Sequence, residues 1–328
     1  MSIIAGYISD SVVGEFLNAL IFLISLIILY IEVRAYFVGI KEGNMFALAG
    51  LLVVIVSVVS GYLASHGNLL ALWQPFEIVI ICGAALGAFM VANPFIVQKK
   101  VLTMLPQVIS GSRHNKKFYL QLLGLMYCLF QKSRQEGFLS IEDDIESPFT
   151  SELFNRFPDV VRDHEVVNFL TDNYRIFTLT GLPAYEIEAI MDNEIEQIQE
   201  ELVAPSHALS RVAEGLPGFG IVAAVLGIVI TMGSIGGPLE EIGAHVAAAL
   251  VGTFLGIFFG YGFVGPAASH LESLGAHELK AYLCIKACLN SIVSGYAPPV
   301  AVETGRKLLP PEMRPSFIEL SDGLKQYR

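Results

Sequence analysis

The stretch Leu216–Pro266 reads LPGFGIVAAVLGIVITMGSIGGPLEEIGAHVAAALVGTFLGIFFGYGFVGP and contains no lysine or arginine. Two apolar runs flank a short turn at Ser234–Pro238. Each run approaches the ~20 residues that a helix needs to cross a bilayer. The pattern predicts a membrane hairpin. On its second run Ala244, Ala248, Gly252, Gly256 and Gly260 recur every four residues. That spacing puts them on one face, where another helix can approach closely. Thr253 sits beside this face at mid-span. Pro217 and Pro266 bracket the hairpin at its inner ends. A proline there fits a helix start or a helix stop, and a hinge is the competing reading.

The rest of the chain suits this hairpin. Of 328 residues, 54% are hydrophobic and 16% charged, against roughly 25% charged in soluble domains. The formal net charge of -11 leaves no surplus of basic residues to neutralise phosphates, which excludes a nucleic-acid partner. The four cysteines form no CxxC pair, and reduced thiols are expected.

Working outward, Met45–Ala64 and Phe76–Asn93 read as two more spans. Trp73 stands in the loop between them, where an interfacial aromatic belt would lie. Glu77, near the outer end of its span, is expected to be solvated at headgroup level. A further apolar run at about 12–31 predicts an extra N-terminal span, with a membrane-surface helix as the competitor. All 20 lysines and arginines fall in three blocks: Arg34–Lys41, Lys99–Arg211 and Lys280–Arg328. The positive-inside rule places those blocks in the cytoplasm. The expected organisation is an N-terminal extension (1–44), a transmembrane hairpin (45–95), a cytoplasmic helical domain (96–211), a second hairpin lining an ion path (212–268) and a cytoplasmic C-terminal helix with an extended tail (269–328). The fold class is all-α: a polytopic membrane protein with a helical cytoplasmic domain.

Within 96–211, Phe118–Gln135 has apolar residues three and four apart, as an amphipathic helix does, and Gly137 stops it. Ser140-x-x-Asp143 fits a cap for a short helix at IEDDIE. Two more helices are expected at Val166–Leu179 and Tyr185–Leu202, the second strongly acidic. A final helix is expected at Ser273–Ile292. The Pro- and Gly-rich segment after it is expected to be extended.

The chain has no P-loop, dinucleotide fingerprint, nucleophile elbow or HExxH motif, so an enzyme is not expected. Both helices of the 217–266 hairpin lack a central carboxylate, although intramembrane proton relays usually use one. An ion path along this hairpin therefore needs an acid from another helix, on a partner chain.

Five motifs occur in order: KSRQEGFLSIEDDIESP, YEIEAIMDNEIE, LPGFGIVAAVLGIV, VGTFLGIFFGYGFVGP and the tail GYAPPVAVETGRK with RPSFIEL. Together they resemble the flagellar motor stator A subunits (MotA) of the MotA/TolQ/ExbB proton-channel superfamily, over Met45 to about Leu320. The resemblance implies four family spans beginning near Met45. Residues 1–44 are then either an added helix or sequence upstream of a start at Met45. It implies an inner-membrane, multi-pass subunit that assembles as a homo-oligomeric ring around a dimer of a MotB-like B subunit carrying the membrane aspartate. It implies contact with the rotor protein FliG and no cofactor beyond the translocated ion, a proton. By position, Arg134 and Glu142 take the roles of rotor-contact charges, Glu194 that of a further cytoplasmic charge engaged in that rotor contact or in assembly, and Pro217 and Pro266 those of conformational coupling. Ala224 and Thr253 line the ion path in the pattern of proton-driven members. An ExbB- or TolQ-like energiser of outer-membrane transport is the alternative, but that group lacks the tail motifs.

Overall fold

The computed structural model describes residues 44–180, 182–233 and 235–326. The expected extra span at about 12–31 lies outside them. In chain order the α-helices are α1 (Asn44–Ala64), α2 (Pro75–Ala92), α3 (Phe95–Met104), α4 (Gln107–Ser110), α5 (Lys116–Glu136), α6 (Glu142–Glu146), α7 (Glu152–Asn155) and α8 (Pro158–Val161). They continue with α9 (His164–Thr180), α10 (Ala184–Gly233), α11 (Leu239–Phe259), α12 (Gly265–Val293), α13 (Pro298–Leu308) and α14 (Phe317–Gln326). No strand occurs among the described residues. Three helical stretches are long and apolar enough to cross a membrane: Leu69–Ala92, Ala184–Gly233 and Leu239–Val293. Leu48–Ala64 is a shorter apolar helix. The chain is an all-α polytopic membrane protein.

Two compact units form. The first holds α1, most of α2, and the hairpin Ala213–Val264. The second holds most of 88–212 together with Gly265–Arg328.

The helix boundaries differ from the sequence reading in three places. The acidic helix and the first hairpin span are one 50-residue helix, α10, with Pro205 and Pro217 in its interior. Pro217 is thus not at a helix start. Secondly, Ser140 does not cap α6. Its Oγ donates to the Gly137 carbonyl at 2.7 Å, and the N-cap Ile141 has no side-chain bond to give. Thirdly, the tail is not extended but forms α13 and α14. Proline opens α13, where its missing N–H costs nothing. Ser316 and Glu319 form a reciprocal capping box at the start of α14: the Ser316 N–H donates to Glu319 Oε2 (2.6 Å) and the Glu319 N–H to Ser316 Oγ (3.1 Å). Proline and glycine here mark helix boundaries.

The second unit has a core of large side chains. Leu122, Met126 and Leu129 of α5, Phe154 and Phe157 around α7, Val167, Leu170 and Tyr174 of α9, and Ile285 of α12 are all fully buried. Gly305 lets α13 press on α12, because a Cβ there would meet Cys288 Sγ and lie 3.0 Å from the Cys284 carbonyl oxygen. Cys284 and Cys288 are buried packing groups without a disulfide.

Candidate functional site

The hairpin of α10 and α11 closes at a turn that includes Gly236, whose φ of +104° suits glycine. Its helices meet through backbone rather than side chains. A Cβ on Gly256 would lie 2.6 Å from the Leu216 carbonyl oxygen and 2.9 Å from Gly220 Cα. A Cβ on Gly220 would lie 2.9 Å from the Gly252 carbonyl oxygen. Gly227 faces Ala249 in the same way, at 2.9 Å. The small face of α11 at Gly252, Gly256 and Gly260 therefore packs on α10 of the same chain. Ala244 is exposed and Ala248 half-buried, so that face thins toward the closed end.

The two prolines differ in setting. Pro217 has no N–H, so the Ala213 carbonyl one turn back loses its helical donor. That oxygen lies 2.7 Å from where a Gly260 Cβ would be, and Pro217 Cδ lies 3.2 Å from the same point. Only glycine at 260 lets α11 approach the freed carbonyl. Pro266 is the second residue of α12 and follows one π-helical turn, Gly260–Val264. Such turns loosen the regular helical ladder and recur at functional sites.

Beside this packing lies a residue that the sequence reading placed wrongly. Glu77, in the first turn of α2, is only 9% exposed. Its Oε2 lies 3.0 Å from the Cβ position of Gly252, a point that is itself 3.3 Å from Ala223 Cβ and 3.6 Å from the Ala224 nitrogen. Oε2 is buried and has no hydrogen-bond partner among the described residues. Gly252 follows Leu239 by thirteen residues, about 20 Å of helix from the closed end. The carboxyl is covered by the facing helix instead of being solvated. The 3₁₀ turn Leu69–Leu72 packs on α11 ahead of α2 and draws Glu77 inward. Ala224 and Thr253, each half-buried, are neighbours of the residues around this carboxyl. The available signal was an acidic residue inside an apolar span. Proximity to Pro75 made it look interfacial.

In the second unit, Arg134 is exposed in the last turn of α5. With Tyr127, Gln131, Gln135, Ala297, Pro298 and Pro299 it lines a cleft of about 410 Å³. Glu142 is exposed in the first turn of α6. Neither takes an ion pair among the described residues. The ends of these helices are held together by Lys132–Asp144 at 2.9 Å, with Ser151 Oγ donating to Asp144 at 2.6 Å. Glu194 behaves differently: half-buried, it accepts a 2.7 Å hydrogen bond from the buried Asn173, which ties α9 to α10.

Comparison with known proteins matches this arrangement. A family model described as the motility protein A N-terminal region fits residues 48–137, and one for the MotA/TolQ/ExbB proton channel family fits residues 162–282. Motility protein A of Escherichia coli (strain K12) is 45% identical over 281 residues, covering 86% of this chain and 95% of the relative. The chain belongs to the motility protein A family. Chemotaxis protein LafT of Vibrio parahaemolyticus is 39% identical over 277 residues, 84% of this chain and 97% of its own length. The solved flagellar MotAB stator complex from Bacillus subtilis superposes with a TM-score of 0.59 at 27% identity, over 86% of this chain and 98% of that one. MotAB of C. jejuni superposes at 0.66 and 21% identity, over 84% and 99%. As a motility protein A member, the chain shares its fold with these stator chains.

Proposed function

We propose that this chain is the A-type stator subunit of a bacterial flagellar motor, seated in the inner membrane. With a B-type partner it couples proton flow to torque. The observation that carries the reading is the 45% identity to motility protein A along 95% of that relative. The three basic blocks support a cytoplasmic second unit. A ring of A subunits around a B dimer, with a membrane aspartate on B, supplies the remainder of the ion path beside Ala224 and Thr253. One charge moved through 100 mV releases ~2.3 kcal/mol, enough to bias a weakly held helix contact. The π turn before Pro266 and the interrupted ladder at Pro217 are where such bending costs least. Arg134 and Glu142, left unpaired, are free to engage the rotor protein FliG. Glu194 serves assembly of the unit through Asn173 rather than rotor contact. No cofactor other than the translocated proton is required.

The test is complementation of a stator-deleted, flagellated cell by this chain and its B partner. Swimming should return, collapse when the proton gradient is dissipated and ignore external sodium. Swimming that follows sodium would overturn the ion assignment. Undiminished swimming after Pro217→Leu with Arg134→Glu would overturn the site.

A further inference from the structure

The buried carboxyl of Glu77 has three features that belong together. It is nine-tenths buried, with Oε2 unpartnered. It abuts Gly252, where any side chain would press on it at 3.0 Å. Residues 42–98 and 212–279 contain no lysine or arginine, so the apolar stretches around Glu77 supply no basic counter-ion. A packing role would be met by leucine or glutamine at less cost, because an unpaired buried charge is expensive. An acid buried within a membrane-spanning helix under these conditions is functional by default.

We propose that Glu77 is a proton-binding station on the ion path, intrinsic to this chain and additional to any acid on a partner. This rests on the reading of the chain as a proton-driven stator. A proton arriving from the outer side bonds to Oε2, and the carboxyl becomes neutral. The same O–H bond then breaks as the proton passes inward to the next carboxylate, and Glu77 returns to its charged form. Nothing is oxidised or reduced. Gly252 keeps Oε2 free for this exchange.

The test uses the full chain with its B partner in stator-deleted cells, a tagged copy reporting membrane level. Wild-type complementation is read first, and its failure strikes at the stator reading, not at Glu77. Glu77→Gln keeps the shape but cannot cycle a proton. It should reach the wild-type membrane level while proton flux falls about tenfold or more. Glu77→Asp should keep flux and shift its dependence on external pH. Independently of motility, infrared difference spectra of the purified complex across a pH titration should show a buried carboxyl signal that Glu77→Gln removes. Wild-type speed and pH dependence in Glu77→Gln would overturn the proposal. So would an unchanged infrared signal, or a flux loss that only follows loss of protein from the membrane.

Discussion

The α10–α11 hairpin and the helical second unit are both built from helices, yet they hold together by opposite means. In the second unit, Leu129, Phe130, Phe154 and Tyr174 fill a core, and the hydrophobic effect drives their burial. In the hairpin, large residues such as Leu226, Val229 and Leu250 point outward, because lipid is as apolar as they are. The contact is left to Gly220, Gly227, Gly252 and Gly256, where dispersion between close backbones does the packing. Glycine serves as the contact surface throughout the hairpin, whereas in the second unit it serves both as a stop signal, as at Gly137, and as a single close contact, as at Gly305. Polar groups divide likewise. Thr231 in the hairpin bonds back to its own helix at the Gly227 carbonyl, and Asp144 and Asp163 in the second unit pair with other side chains.

Substitutions can break this comparison. Leu129→Ala, in the filled core, should destabilise the second unit by about 2–5 kcal/mol. Denaturant unfolding of the purified complex measures it. Leu226→Ala, on the exposed side of the hairpin, should stay within about 0.5 kcal/mol. Equal losses at the two leucines would end the distinction. Gly256→Ala should cost about 1–3 kcal/mol through overpacking against Leu216 and Gly220, read as lower thermal stability and membrane level. Asn173→Ala removes the donor to Glu194 and should cost about 1.5–3 kcal/mol, the range for a hydrogen bond to a charged group. Glu194→Gln should cost less and leave swimming largely intact. Strong loss of torque at unchanged stability would return Glu194 to the rotor surface.

The smallest effect is expected at the exposed start of α14. The Lys116 ammonium, 2.8 Å away, and the capping bonds of Ser316 hold the Glu319 carboxyl down at about 2, from an ordinary 4.5. A lowered carboxylate adds stability above its unfolded value and loses it as pH falls toward the folded one. Docking of α14 should therefore weaken between about pH 4.5 and 2, and Lys116→Ala should narrow that window. Hydrogen exchange of α14 amides against pH measures both, and added salt should diminish the effect.

Much of this was legible in the residues. The hairpin, its turn and the small face followed from spacing alone, and α5 from apolar residues three and four apart. The helix continuity across Pro205 and Pro217 was not, since local rules end helices at proline. Around Pro217 the neighbours Gly215, Gly218 and Gly220 are themselves weak helix formers, so it is packing against α11 that carries α10 through. The tail misled for a related reason: Pro298 and Ser316 are also good helix starts, and composition cannot distinguish a loop from a helix opening.

Sequence by itself determined that the chain crosses a membrane, how its basic residues are grouped between the apolar stretches and which family its motifs join. These depend on hydropathy, charge and order, which are properties of the chain. Tertiary structure decided what faces what: Gly252 against Glu77, Ala213's freed carbonyl against Gly260, and Asn173 on Glu194. Each depends on helix rotation and depth, which distant residues set through packing. That is why an acid two residues after a proline looked solvated until the helices around it were in place.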